Sequence, residues 1–201
     1  MNDNWNLIIR HEPFDQLVAL FTRDALGVGS VDGWDGLSAV IPGLGVVAPA
    51  SSGLIDDVVR SQWQDWWRQL NFSNIPHDPK LAVAIGSGRG LEEYPSLQQA
   101  VAPFLERAQQ WAYSRRDEMR SLRASADLDL QRPETMAIQQ IIRGKIDRAH
   151  IRRDFVFTEL PLQGSRAWIG PGDQVIVTRD LFFDGTQYRH WLATEFTHHR
   201  S

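Results

Sequence analysis

The sequence predicts an α+β fold: four to five helices, then a C-terminal three-stranded antiparallel meander and a closing helix. Two observations carry this expectation. Apolar residues recur at helical spacing over most of the chain up to about residue 152, and from 154 the pattern becomes short aromatic and β-branched runs broken by glycine turns. Helices first and a meander later favour α+β over a parallel strand–helix–strand alternation. The length of 201 residues fits a single globular domain over 1–201, mostly helical to about 152, with the meander and last helix over 154–198.

The first helix is expected over Glu12–Leu26. Pro13 suits an early helical position, Phe14, Leu17, Val18, Phe21 and Ala25 share a face, and Gly27 terminates it. Gly36–Ile55, GLSAVIPGLGVVAPASSGLI, holds no charged residue. It is long enough to span a bilayer, but Pro42, Pro49 and four glycines make poor helix. Two buried strands, Leu37–Ile41 and Gly45–Ala48, explain it better. Ser51 and Ser52 can cap the next helix, and Asp56 and Asp57 suit its positive end. In that helix Trp63, Trp66, Trp67 and Leu70 fall on one stripe. Three indoles at this spacing read as a core wall, with a partner-binding face as the alternative.

Pro95 opens the longest helical pattern, with Leu97, Val101, Phe104, Leu105, Ala108, Trp111, Met119 and Leu122 on its apolar face. Pro103 lacks an N–H, so a kink or restart is expected there. Residues 124–133 read as a connector. A further helix, Glu134 to about Arg152, turns Ile138, Ile141, Ile142, Ile146 and Ala149 inward. The meander follows: Phe155–Leu162, RAWI at 166–169 and QVIVT at 174–178, with turns at Gln163-Gly164 and at Gly170–Asp173. Asp184 caps the closing helix, whose apolar face is Tyr188, Trp191, Leu192 and Phe196.

The chain is 42% hydrophobic and 23% charged, ordinary for a globular protein and unlike a disordered or fibrous one. It has no cysteine, which excludes disulfides, thiolate metal sites and cysteine nucleophiles. MNDNWNLIIRHEPF lacks the basic and apolar regions of a signal peptide. A soluble, cytoplasmic chain is expected, and arginine far outnumbering lysine fits a GC-rich bacterial genome.

No motif names a reaction. LAVAIGSGRG, residues 81–90, feeds an apolar run into a glycine turn. Gly86, Gly88 and Arg89 could hold an anion there through backbone N–H groups and one positive charge. Its spacing is neither the dinucleotide fingerprint nor a Walker loop, and Glu92 and Glu93 oppose phosphate. Among the histidines, His150 stands four residues before Asp154. Glu195-x-x-His198 has the spacing of half a di-iron site, but the second half is missing. No Gly-x-Ser-x-Gly elbow is present. The expectation is no catalytic residue, no metal and no cofactor.

Charge is segregated. Residues 1–114 carry net −6, 115–153 net +4 and 154–201 net −2. The basic density peaks at 143–153, where Lys145, Arg148 and Arg152 form one ridge of a helix. Such a ridge fits an acidic protein, or phosphate. A pI near 5.8 makes nucleic acid the less favoured partner. The expected function is a non-catalytic protein-binding domain of adaptor, immunity or regulatory type. The alternatives are an enzyme with a dispersed site near the turn at 86–90 and a nucleic-acid module using the basic helix.

Overall fold

Pro13 holds an extended backbone, φ −63° and ψ 139°, and helix α1 (Phe14–Leu26) starts directly after it. Gly27 ends the helix in the left-handed region at φ 64°, where a side chain would be strained. The N–H groups of Gly27 and Val28 close on the carbonyls of Asp24 and Arg23. The computed structural model describes residues 5–28, 56–72, 90–125, 136, 139–140, 153–170 and 174–196. The chain divides into two compact units: residues 12–117, and residues 1–11 with 118–201.

The first unit is built on α1, α2 (Asp57–Phe72), a short 3-10 turn (Leu91–Glu93), α3 (Pro95–Val101) and the start of α4 (Leu105–Ser125). Every residue of α1 from Gln16 to Arg23 is buried. The apolar stripe expected from spacing is therefore only part of its covered surface, and the polar groups in the remainder are bonded. Gln16 donates to the Leu70 carbonyl at 3.1 Å and Thr22 to the Ala19 carbonyl at 2.9 Å. Arg23 pairs with Asp24 at 2.6 Å. A buried polar group needs such a partner to avoid a desolvation penalty.

The tryptophan stripe is core. Trp63, Trp66, Trp67 and Leu70 are all buried. Trp63 stacks on Trp67 with ring centroids 5.5 Å apart, and its Nε1 donates to the Ala19 carbonyl at 3.0 Å. At the start of α2, Asp56 Oδ1 accepts from Val58 N. Ser51 and Ser52, expected to cap, lie outside the described residues. Gln62 on α2 accepts from Leu97 N at 2.8 Å, satisfying one of the open donors at the start of α3. Pro103 sits in a 3-10 turn (Ala102–Phe104) between α3 and α4, the restart expected for a residue without an N–H. Leu97, Val101, Phe104 and Ala108 are buried as expected, and Ala112 and Arg115 join them.

Among the described residues, the second unit is built on a four-stranded mixed sheet, one face of which packs against helices. Its strands are β1 (Trp5–His11), β2 (Arg153–Leu160), β3 (Ala167–Ile169) and β4 (Gln174–Thr178), in the order β1-β2-β4-β3. β1 and β4 each run parallel to β2, and β3 pairs antiparallel with β4. The three expected strands exist and the β3–β4 hairpin forms, but the sheet is not a simple meander. β4 sits between β2 and β3, and the N-terminal strand, absent from the sequence reading, covers the other edge of β2.

Burial explains the order. Phe155–Leu160 and Val175–Thr178 are buried without interruption, whereas β3 is half-buried throughout. Strands covered on both faces belong in the middle of a sheet, and the less apolar RAWI is left at the edge. On the helical face, Phe155, Phe157, Val175 and Val177 pack with Leu181, Phe182, Tyr188, Trp191, Leu192 and Phe196. The last six come from α5 (Arg179–Phe183), α6 (Gly185–Trp191) and a π-helical turn (Leu192–Phe196). Asp184 caps α6 as expected, accepting from Thr186 N at 3.1 Å and Gln187 N at 3.0 Å.

Of the expected helix over 134–152, residues 136, 139 and 140 are helical; the rest lies outside the described residues, as do the expected strands within Gly36–Ile55.

Candidate functional site

The β3–β4 hairpin sets which backbone groups face outward. Thr178 N donates to the Arg166 carbonyl at 2.9 Å and Gly170 N to the Gln174 carbonyl at 2.8 Å. Antiparallel pairs alternate between bonded and non-bonded. With Trp168 opposite Ile176, the bonded positions on β3 are 166, 168 and 170. Ala167 and Ile169 therefore turn their N–H and C=O groups away from β4, toward the open edge. No strand pairs with that edge among the described residues. An unpaired edge is a template for another extended chain.

A groove of about 550 Å³ lies beside this edge, open on one side. Its apolar wall is Ala167, Leu181 and Trp191, and Arg166, His190 and Glu195 are polar residues of its lining. Each wall residue has a local cause. Ala167 is on the helix-facing side of β3 and its small side chain leaves space above the strand. Leu181 is placed by α5, which Thr178 Oγ1 caps by accepting from Leu181 N at 3.4 Å. Trp191 is carried one turn beyond Gln187 by α6, and its ring stacks on Tyr188 at 6.2 Å. The polar ends of Arg166, His190 and Glu195 make no ion pair among the described residues. The volume is within the range of ligand sites, about 300–1,000 Å³.

The other unit holds two unusual acids. Glu12 has φ 42°, in the left-handed region that a residue with a Cβ adopts only under strain. Its carboxylate is buried and accepts from Arg115 Nη2 at 3.4 Å. Asp15, in the first turn of α1, has its carboxyl pushed up to about 6 by burial, which Arg116 partly opposes.

The residues singled out from sequence are placed as follows. Lys145, Arg148 and Arg152 lie outside the described residues, as do Gly86, Gly88 and Arg89, and His150 and His198. Glu195 is described, on the groove. Sequence reasoning missed the groove because its parts come from a strand and three helical segments. The legible signal was the hairpin GPGD between RAWI and QVIVT, which did not say which strand would be the edge. Among the described residues no cluster of side chains has the make-up to hold a metal ion, and no helix is long and apolar enough to cross a membrane. Compared with family models, curated proteins and solved structures, the chain matches none.

Proposed function

We propose that this chain is a protein-binding domain that takes an extended segment of a partner polypeptide onto the β3 edge. One observation carries the reading: the outward backbone groups of Ala167 and Ile169 stand beside a groove walled by α6. Backbone donors and acceptors at a two-residue repeat are complemented by another extended chain, and pockets for alternate side chains supply selectivity. The side chains of Ala167 and Ile169 lie on the helix-facing side of the sheet. Residues of the segment directly opposite them, at i and i+2, therefore project into the groove, and the residue between them pairs across from Trp168. An acidic side chain at the Arg166 end gains a charge partner, an interaction that weakens with salt.

The test is selection of short peptides from a displayed library with the full chain as bait, followed by amide exchange. Binding should slow exchange at Ala167 and Ile169. Ala167→Pro removes an outward N–H and leaves the β3–β4 ladder intact, a position where an edge strand accepts proline. It should lower affinity at least tenfold while the melting temperature changes little. Binders that leave both amides unprotected, or that tolerate Ala167→Pro, overturn the reading.

A further inference from the structure

The groove beside the β3 edge carries two opposite charges that do not neutralise each other. Arg166 immediately precedes β3. Its N–H donates to Thr178 Oγ1 at 3.0 Å and its carbonyl accepts from Thr178 N at 2.9 Å, so its backbone is fixed at the start of the strand. Glu195 comes from the helical side, on the π-helical turn, where Leu192 and Phe196 are buried. Thr194 Oγ1 donates to the His190 carbonyl at 2.8 Å, which holds that turn as well. Arg166 and Glu195 are both exposed, both line the groove, and neither makes an ion pair among the described residues.

The rest of the wall is apolar. Leu181 and Trp191 line the groove and are themselves buried, and Ala167 adds only a methyl group. Ala167 lines the groove and Ile169 does not, so the partner side chain opposite Ala167 lies the deeper of the two. A wall of this make-up fits a side chain with an aliphatic stem and a charged end: the stem covers apolar surface and the end stays wet. Glu195 sets the sign of that end. His190 on the same rim offers a neutral ring nitrogen as a further acceptor. An aromatic or branched aliphatic side chain would cover the wall and leave the carboxylate without a counter-charge. Arg166 meets the adjacent residue of the segment across the strand pair, where opposite charges attract and like charges repel.

We propose that the segment taken at the β3 edge is dipolar: a lysine or arginine opposite Ala167, ending on Glu195, next to an aspartate or glutamate opposite Arg166. The inference rests on the edge-pairing reading and adds the chemistry of the partner to it. Backbone pairing along Ala167 and Ile169 is blind to sequence, so selection falls to the side chains that the two fixed charges accept or repel. A segment that sets like charges at the two places is rejected, and discrimination of this kind depends on the repulsion as much as on the attraction.

The experiment takes the tightest displayed peptide that protects the Ala167 and Ile169 amides, synthesises it with each charge reversed in turn, and titrates the full chain by calorimetry. Selected peptides should share a neighbouring basic and acidic pair. Glu195→Gln should weaken binding about threefold, within the range of an exposed ion pair. Glu195→Lys should weaken it about tenfold, because like charges then face each other. The peptide whose basic residue is replaced by glutamate should regain most of that loss in Glu195→Lys and bind the wild type poorly. Arg166→Glu should behave in the same way toward the peptide whose acidic residue is replaced by lysine. High salt should shrink each difference. Both residues are exposed, so the melting temperature should stay unchanged in every variant. Peptides that protect both amides but share no such pair, or that bind the two charge-reversal variants as they bind the wild type, overturn the dipolar proposal and leave edge pairing standing. Failure of every selected peptide to protect the amides overturns both.

Discussion

Replacing Trp63 separates packing from hydrogen bonding in the first unit. The side chain is fully buried, stacked on Trp67 and bonded to the Ala19 carbonyl at 3.0 Å. Trp63→Ala removes the indole from a site that cannot collapse around a rigid stack, and the expected loss is about 3–5 kcal/mol. That is a large share of the roughly 5–15 kcal/mol that holds an ordinary domain together. Trp63→Phe keeps most of the area and loses the N–H. Thr22 Oγ1 still donates to the Ala19 carbonyl at 2.9 Å, so no acceptor is stranded, and the cost should be about 1–2 kcal/mol. Trp66 makes the contrast. It is equally buried, but its Nε1 has no acceptor among the described residues, so Trp66→Phe removes an unsatisfied donor and should cost less than Trp63→Phe. Urea titration followed by far-UV circular dichroism reads all three, with the slope unchanged where only stability moves. A loss below about 1 kcal/mol in Trp63→Ala, or Trp66→Phe costing more than Trp63→Phe, refutes the argument.

Two further predictions concern single carboxylates. Asp15 titrates from 3.8 in the unfolded chain to about 6 when folded, so the folded state binds the proton more tightly. Stability from this group is complete below pH 3.8 and is lost as pH rises through 6. The shift corresponds to at most about 3 kcal/mol, so Asp15→Asn should stabilise the fold by about 1–3 kcal/mol at pH 7 and flatten the slope between pH 4 and 6. An unchanged slope in melts across that range would refute it. Asp184→Ala removes the acceptor for Thr186 N and Gln187 N and should cost about 1 kcal/mol. That is about 2–4 °C in melting temperature for a chain of this size, measured by calorimetry.

What the sequence determined by itself is local. The glycine stop after Leu26, the restart at Pro103, the Asp184 cap and the tryptophan stripe all follow from spacing and residue type, because a helix places its neighbours three and four positions apart. The hairpin of β3 and β4 was legible for the same reason: its turn residues are adjacent in the chain. Tertiary structure decided the strand order, since parallel pairing of β1 with β2 joins residues 148 apart, His11 and Glu159 among them. It also decided that Glu12, expected to open a helix, is a strained and buried partner of Arg115, 103 positions away. Nothing in the spacing of those residues marks them as partners. The order of the strands follows from the apolar area buried when Phe155–Leu160 and Val175–Val177 are covered, and that selects the middle of the sheet, its open edge and the groove beside it.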